Sequence, residues 1–197
     1  MRQIKDLRVT VCGAGALGAN ITESLARQGF NKLRVIDRDR IEERNLSTQP
    51  YFNTDVGAFK AKILANSVYR ALGVEVEAMA EELTATNADR LLKPSELVLD
   101  TFDNSRSREL VKGTCEKSEV ACLHVGLASD YAEIIWNENY RVPSDANDDA
   151  CDYPLARNLI MLTVGVACEV VVNFVNRAEK HSYTITLSDF AVRELGI

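Results

Sequence analysis

Three glycines at the end of a short apolar segment are the first residues in this chain whose spacing could serve chemistry. Gly13, Gly15 and Gly18 follow the apolar residues 9–12 and open a segment with apolar residues at helical spacing. In a strand–turn–helix context, Gly13 permits a tight turn, Gly15 lets the backbone approach a phosphate, and Gly18 lets the helix pack close to the strand. The N-terminus of the helix would offer unpaired N–H groups to an anion. The motif therefore predicts a nucleotide-binding turn.

An acidic residue lies where a nucleotide ribose would need one. The next apolar segment, residues 33–36, ends in Asp37, about 20 residues beyond Gly18, and a carboxylate at that distance can bind ribose hydroxyls. Glycines in a tight turn and an aspartate that caps a strand would give the same pattern without a ligand. The combined context favours the nucleotide site.

Lys60 is the first candidate for a phosphate contact. It lies in the first turn of a predicted helix, residues 56–72. A cation at this end of a helix opposes the helix dipole, which favours a role with an anion. The alternative is an ordinary surface lysine, which spacing alone favours.

Asp103 is an acidic residue just beyond another predicted strand. A strand predicted over residues 96–100 is apolar enough to be buried on both faces, and it delivers Asp103 to the same sheet edge as Gly13 and Asp37. An aspartate at this position could also cap the helix that begins near residue 105.

Short apolar segments alternate with amphipathic segments along the sequence. This pattern predicts the strands and helices that position these residues. The fold class is α/β, a Rossmann-like doubly wound, mainly parallel sheet with an antiparallel extension. The predicted strands are 9–12, 33–37, 74–80, 96–100, 120–125, 131–136 and 183–187, and the predicted helices are 16–28, 56–72, 84–92, 105–118 and 157–178. Residues 38–52 are predicted to form a loop with a turn of helix, and residues 141–156 a mobile loop. Without a Gly/Ser-rich linker, residues 1–197 are predicted to be one domain.

The composition excludes several classes of protein. The chain has 197 residues, 46% hydrophobic and 26% charged, as globular domains do. A net charge of −6 without a basic run argues against a nucleic-acid partner. Residues 159–172 are the most apolar run, but Glu169 interrupts it and it falls short of the ~20 residues of a membrane span, so a buried or interface helix is predicted. The polar N-terminus is unlike a signal peptide, and a cytoplasmic location is expected.

The number and spacing of the cysteines argue against a zinc site. Their number, five, is odd and no CxxC pair occurs, which fits a reducing compartment. Four of them are predicted to be small buried hydrophobes: Cys12, Cys115, Cys122 and Cys168. Cys151 lies in the predicted loop among acids, which disfavour a reactive thiolate. His124 lies in an apolar strand and is predicted to be a packed core histidine.

Five motifs then occur in order along residues 5–178. They are Gly13-Ala-Gly-Ala-Leu-Gly18, Asp37-x-Asp39, Asn45-Leu-x-x-Gln49, Asp55-x-Gly57-x-x-Lys60, and Asp100-x-x-Asp103-Asn104 followed by Arg108. This series resembles the ThiF/MoeB/HesA family, the bacterial relatives of ubiquitin-activating enzymes. The resemblance implies a homodimeric adenylyltransferase that uses ATP and Mg²⁺. Its substrate would be the C-terminal carboxylate of a ubiquitin-like sulfur-carrier protein or a peptide.

The resemblance also implies the roles of individual residues. The implied catalytic residues are Lys60 and Asn45, which face the phosphates, and Asp103, which binds magnesium. The implied nucleotide-binding residues are Gly13, Gly15, Gly18, Asp37, Asp39 and Asn104. Some relatives form a thioester or persulfide on a loop cysteine, which makes Cys151 the candidate for a covalent role.

The chain departs from the family pattern at Thr48, where Asn-x-x-Arg-Gln places an arginine that assists the phosphates. Arg44 or an arginine of a partner chain could replace it. A catalytically silent nucleotide-binding subunit of an activating complex is therefore the alternative function. The interpretation as an NAD-dependent oxidoreductase rests on the glycine pattern alone, because the sequence has no recognisable pair of catalytic residues for that reaction.

Overall fold

Eight strands form one sheet in the part of the chain that the computed structural model describes, residues 4–144 and 154–196. The strands are β1 (Arg8–Cys12), β2 (Lys32–Ile36), β3 (Glu77–Met79), β4 (Leu97–Asp100), β5 (Ala121–Ala128), β6 (Tyr131–Trp136), β7 (Ser182–Thr186) and β8 (Ala191–Leu195). Their order is β3-β2-β1-β4-β5-β6-β7-β8. The first five in that order are parallel, and β6, β7 and β8 extend the sheet in antiparallel fashion. The predicted α/β architecture with an antiparallel extension is confirmed.

Helices cover both faces of the parallel part of this sheet. Within the described residues they are α1 (Ala16–Arg27), α2 (Lys60–Leu72), α3 (Ala88–Leu92), α4 (Ser105–Ser118) and α5 (Arg157–Arg177). One hydrophobic cluster joins strand residues such as Val11 and Leu99 to α1, α2 and α5. A second joins Cys12 and Val98 to α3 and α4. Because neighbouring strand residues point to opposite faces, the two clusters are the two faces of the sheet.

Strand β4 lies in the middle of the sheet, where both of its faces are covered. All four of its residues are buried, as the continuous apolar run predicted. It pairs with β1 on one side and β5 on the other. Strand order reverses beside β1, since β1 leads through α1 to β2 on one side while β4 lies on the other. Ligands of open α/β sheets bind at the carboxyl ends of the strands at such a reversal.

Strand β8 is absent from the sequence prediction. It pairs antiparallel with β7 at the edge of the sheet, and its residues are exposed or half-buried. An edge strand with so little burial lacks a clear alternation of apolar and polar residues. Helix α3 also begins later than predicted, at Ala88, because the side chain of Asn87 accepts the N–H of Thr84 and holds residues 84–87 in a turn.

Helix α5 is the long apolar helix of the chain. Together with the preceding 3-10 turn, Pro154–Arg177 is long and apolar enough to cross a membrane, a test that buried helices of globular proteins also pass. Here α5 packs against α1, and Leu159, Ile160 and Val164 are buried in the core. One side of α5 lies in the core, in agreement with the prediction of a buried or interface helix, but the helix is longer than the apolar run 159–172 on which that prediction rested.

Four cysteines and one histidine are buried as predicted. Cys12, Cys115, Cys122 and Cys168 are all inaccessible, and His124 is fully buried. Burial raises the pKa of Cys12 and Cys122 well above the ordinary value and that of Cys168 to about 12, which makes these thiols poor nucleophiles. Cys151 and most of the predicted mobile loop, residues 145–153, lie outside the described residues.

Candidate nucleotide-binding site

The glycine turn between β1 and α1 has the geometry that its sequence predicts. Gly13 adopts φ +100°, a conformation that favours glycine, and its N–H donates to the carbonyl of Ile36 at 2.8 Å. A Cβ on Gly18 would lie 2.0 Å from the carbonyl oxygen of Gly13, so helix and turn approach too closely for any side chain there. A Cβ on Gly15 would meet no atom within 4 Å. Gly15 therefore borders open space at the N-terminus of α1, where a phosphate can approach.

Asp37 is fixed at the end of β2 by two backbone N–H groups. Its Oδ2 accepts from Ala14 at 2.7 Å and its Oδ1 accepts from Asp39 at 2.7 Å. Burial raises the pKa of this carboxyl, and the two N–H bonds and the charge of Lys60 act in the opposite direction. Each carboxylate oxygen keeps a second lone pair that can accept a hydroxyl. The arrangement is compatible with the predicted ribose contact.

Lys60 is the first residue of α2, four residues later than the predicted start of the helix. Gly57, at φ +89°, and the hydrogen bonds that join residues 57 and 58 to Ile41 keep the preceding segment out of the helix. The backbone N–H of Lys60 donates to the carbonyl of Asp39, and its ammonium lies 4.0 Å from Oδ2 of the same residue. The side chain is nine-tenths buried. A largely desolvated cation is thus held at the carboxyl edge of the sheet.

Asn45 lies in the 3-10 turn Glu43–Ser47, in the segment between β2 and α2. It is buried, and its Oδ1 accepts the backbone N–H of Glu42 at 2.9 Å. Asn45 is not among the described residues that line the groove at the carboxyl edge of the sheet. Its predicted phosphate contact therefore stays a prediction, and its observed contact shapes the loop.

Thr48, at the position where the resemblance implies an arginine, is fully buried. Its carbonyl accepts from Asn20 of α1 at 3.1 Å and from Arg157 of α5 at 2.9 Å. Arg44 is exposed and its guanidinium pairs with Glu42. Arg157 of α5 is therefore an arginine that contacts this loop, and none of the sequence motifs includes it.

Asp103 and its neighbour Asn104 have separate roles after β4. The side chain of Asn104 accepts the N–H of Ser107 at 2.9 Å, so Asn104 is the N-cap of α4. Asp103 is exposed, with one oxygen 3.3 Å from Nδ2 of Asn104. Since Asn104 caps the helix, the capping alternative for Asp103 is wrong, and its carboxylate faces the groove.

We expect Asn104→Ala to lower the free energy of unfolding by about 1 kcal/mol, because the N–H of Ser107 loses its acceptor. The matched control is Asp103→Ala, for which the change should stay within about 0.5 kcal/mol. Urea unfolding of both variants measures the difference. Equal losses would mean that the two side chains share the capping role.

These residues meet in one groove of about 660 Å³ across the carboxyl ends of β1, β2 and β4. From the predicted set, the groove brings together Gly13, Gly15, Asp37, Asp39, Lys60, Asp103 and Asn104. Its other charged lining residues are Arg38, Glu81, Glu82 and Arg106. Acidic side chains therefore outnumber basic ones. A polyphosphate could bind here only with added positive charge, such as a divalent cation, which the oxygen-rich lining is suited to hold.

Two further residues support the glycine turn, and sequence reasoning assigned neither a role. The hydroxyl of Tyr51 donates to the carbonyl of Ala14 at 2.7 Å. The hydroxyl of Thr101 donates to the carbonyl of Cys12 at 2.8 Å and fills the space against Gly13 and Gly18. Both contacts join segments distant in sequence, so no local pattern could have found them.

Comparison with solved structures agrees with this fold. The crystal structure of Escherichia coli MccB with ATP matches 98% of this chain and 64% of that chain, with a TM-score of 0.80 and 16% sequence identity. SeMet PaaA matches 98% of this chain and 64% of that chain, with a TM-score of 0.76 and 18% identity. At these identities, the likeness is one of fold.

Curated relatives match over about half of the chain or more. A sulfur carrier protein adenylyltransferase of Thermus thermophilus is 39% identical over 112 residues, which are 55% of this chain and 41% of the relative. The sulfur carrier protein ThiS adenylyltransferase of Bacillus subtilis is 28% identical over 135 residues, 66% of this chain and 40% of the relative. The chain thus spans less than half the length of these relatives. The ThiF family model matches residues 1–175, and the chain belongs to the ThiF family.

Proposed function

We propose that this protein adenylates the C-terminal carboxylate of a ubiquitin-like sulfur-carrier protein or peptide, with ATP and Mg²⁺. A carboxylate oxygen of the carrier attacks the α-phosphorus of ATP, the bond from that phosphorus to the bridging oxygen breaks, and pyrophosphate leaves with the electron pair. The product is an acyl-adenylate. One observation carries the proposal: a single groove combines open space beside Gly15, the buried cation of Lys60 and the exposed carboxylate of Asp103.

The residues of the chain act here by positioning and by charge. N–H groups at the start of α1 face the side where a phosphate approaches Gly15. Asp37 is held to accept ribose hydroxyls, and Lys60 offsets the repulsion between two approaching anions. Asn45, whose Oδ1 accepts the N–H of Glu42, stays the second predicted phosphate contact.

Asp103 is the residue that would hold Mg²⁺. The donor set fits, because Mg²⁺ is commonly bound by one or two carboxylates together with phosphates of the substrate. Among the described residues, no group of three His, Cys, Asp or Glu side chains forms a site that could hold a metal without a substrate. When bound, the ion would neutralise charge on the phosphates.

The relatives support the class of substrate. Those named above are adenylyltransferases of sulfur carrier proteins, and another, from Haloferax volcanii, is named a SAMP-activating enzyme E1. MccB has been solved both with ATP and with MccA. The proposal extends to a homodimer in the cytoplasm, which light scattering of the purified protein and cell fractionation test.

The silent nucleotide-binding subunit is the alternative function because of Thr48. This buried threonine stands where the family pattern has an arginine that assists the phosphates. Pyrophosphate exchange separates the enzyme from the silent subunit, and calorimetry separates both of them from an NAD-dependent oxidoreductase. We expect ATP to bind in the presence of Mg²⁺ and more weakly without it. NAD binding that ignores Mg²⁺ would instead favour an oxidoreductase and contradict the proposal.

A further inference from the structure

A cluster of five polar side chains is buried below the groove, between the sheet and α4. Asp100 and His124 have 0% exposure, and Tyr140, Asn137 and Arg108 have 3%, 6% and 7%. They come from the end of β4, from β5, from the segment after β6 and from α4. None of them has been assigned a role in nucleotide binding above. Such a cluster is costly unless every group finds a partner.

Both ring nitrogens of His124 face hydrogen-bond acceptors. Nδ1 lies 2.8 Å from Oδ2 of Asp100, and Nε2 lies 2.6 Å from Oδ1 of Asn137. The orientation of the Asn137 amide follows from its other contact, in which Nδ2 donates to the carbonyl of Lys112 at 3.4 Å. The opposite orientation would place two oxygens against each other. With Asn137 in this orientation, each ring nitrogen of His124 donates to an oxygen, as an imidazolium does.

The groups around this ring suit a positive charge. Asp100 is its carboxylate partner, and the ring of Tyr140 stacks on it at 3.7 Å between centroids. Arg108 of the cluster, Glu133 and Cys122, whose Sγ lies 3.6 Å from Nε2 of His124, are further titratable groups near the ring. Burial opposes the charge of Arg108, but Asp100 and Tyr140 raise the pKa of its guanidinium. Burial raises the pKa of Glu133, against the opposing effect of Arg108 and of His124.

The cluster connects directly to the segment that carries Asp103. Oδ1 of Asp100 accepts the backbone N–H of Phe102 at 3.2 Å, while Oδ2 is held by His124. Arg108 of α4 donates to the hydroxyl of Tyr140 at 2.6 Å and to the carbonyl of Val125 at 3.2 Å. Rotation of the Asp100 carboxylate would release the Phe102 N–H. Thr101 is held by its own bonds to Cys12 and Asn104 by its cap of α4, so the partner of Asp100 bears on the part of the segment between them, at Phe102.

Stability alone does not account for this arrangement. Replacing a buried ion pair by apolar side chains of similar volume is often neutral or stabilising. The buried charged network is joined by one hydrogen bond, from Phe102 to Asp100, to the segment that carries the proposed metal ligand. This connection favours a positioning role. Removal of residues that orient metal ligands typically costs tenfold to a hundredfold in metal affinity.

We propose that His124, as an imidazolium, is a positioning residue that locks the carboxylate of Asp100 and thereby holds Phe102 in the orientation that presents the neighbouring Asp103 to Mg²⁺. The magnesium step of this inference rests on the proposed function. The charge of the ring and the contact with Phe102 do not, and they are tested separately.

The charge of the ring is tested by ¹⁵N NMR of the protein labelled in its histidines at about pH 7.5, where a solvated histidine is mainly neutral. The chain has two histidines, so the variant His181→Gln assigns both signals. We expect both ring nitrogens of His124 to be protonated. His181, which is exposed beside Glu194, serves as the internal comparison. A His124 ring with one unprotonated nitrogen would overturn the proposal whether or not the protein adenylates a carrier.

The positioning role is tested with His124→Gln, which can donate to Asp100 but cannot donate to both acceptors, and with His181→Gln as the control. We expect the amide hydrogen of Phe102 to exchange at least about tenfold faster in His124→Gln, and the Mg²⁺ concentration for half-maximal ATP binding to rise about tenfold. Unchanged values for both, in a variant that unfolds cooperatively, would overturn the positioning role. If the parent protein binds no ATP, the proposed function fails, and exchange at Phe102 still decides the structural part.

Discussion

We expect Gly18→Ala to reduce mainly the stability of the protein and Gly15→Ala to reduce mainly its affinity for ATP, although the two positions are three residues apart. A Cβ on Gly18 would lie 2.0 Å from a backbone oxygen, and backbone cannot yield as a flexible side chain can, so we expect a loss of about 3 kcal/mol or more in the free energy of unfolding. Gly15 has φ −82°, which any residue adopts, and a Cβ there meets nothing. Gly15→Ala should therefore lose less than about 1 kcal/mol of stability.

Nucleotide binding should reverse this order of effects. The Cβ of Gly15→Ala would occupy the space through which a phosphate approaches the start of α1, so we expect ATP affinity to fall on the order of tenfold to a hundredfold, or about 1.4 to 2.8 kcal/mol. Thermal unfolding and ATP calorimetry on both variants make the comparison. Unchanged ATP affinity in a folded Gly15→Ala variant would show that the phosphates lie elsewhere.

Asp103→Ala is expected to reduce adenylation on the order of a hundredfold to a thousandfold and to leave the fold unchanged. The carboxylate is exposed and does not cap α4, so little structure depends on it. Without it the proposed magnesium site loses its protein ligand, and stabilisation of phosphate charge by a metal is worth several kcal/mol.

Asp89→Ala provides the matched control for this prediction, because it removes the same charge from an exposed aspartate of α3 that pairs with Lys93. Its activity should stay close to that of the parent protein. Full activity of Asp103→Ala, at the same Mg²⁺ concentration, would exclude Asp103 as the metal ligand.

The local sequence predicts the geometry of the glycine turn well because its constraints are local. Gly13 and Gly18 are required by backbone conformation and by a contact within the same turn, and both requirements appear in the spacing of the glycines. The burial of β4 on both faces likewise follows from a continuous apolar run, which places Asp103 at the edge where Gly13 and Asp37 lie.

The sequence predicts less where the constraint is non-local. Lys60 begins α2 because residues 57 and 58 pair with Ile41, a contact that no helical pattern contains. Asn104, and not Asp103, caps α4. The local sequence does not distinguish the two residues, because the side chain of either one can cap a helix. His124 is in the core as predicted, but its charge depends on Asp100 and Asn137, which lie 24 and 13 residues away along the chain.

ATP–pyrophosphate exchange tests the central claim most directly. The purified protein would be assayed with Mg²⁺ and a panel of carrier proteins that end in Gly-Gly, each compared with a version that lacks the last residue, and Asp103→Ala would be assayed in parallel. We expect exchange with one intact carrier, none with its shortened form, and a large loss in the variant. Absence of exchange with every carrier, while calorimetry detects bound ATP, would contradict adenylation and favour a silent nucleotide-binding subunit.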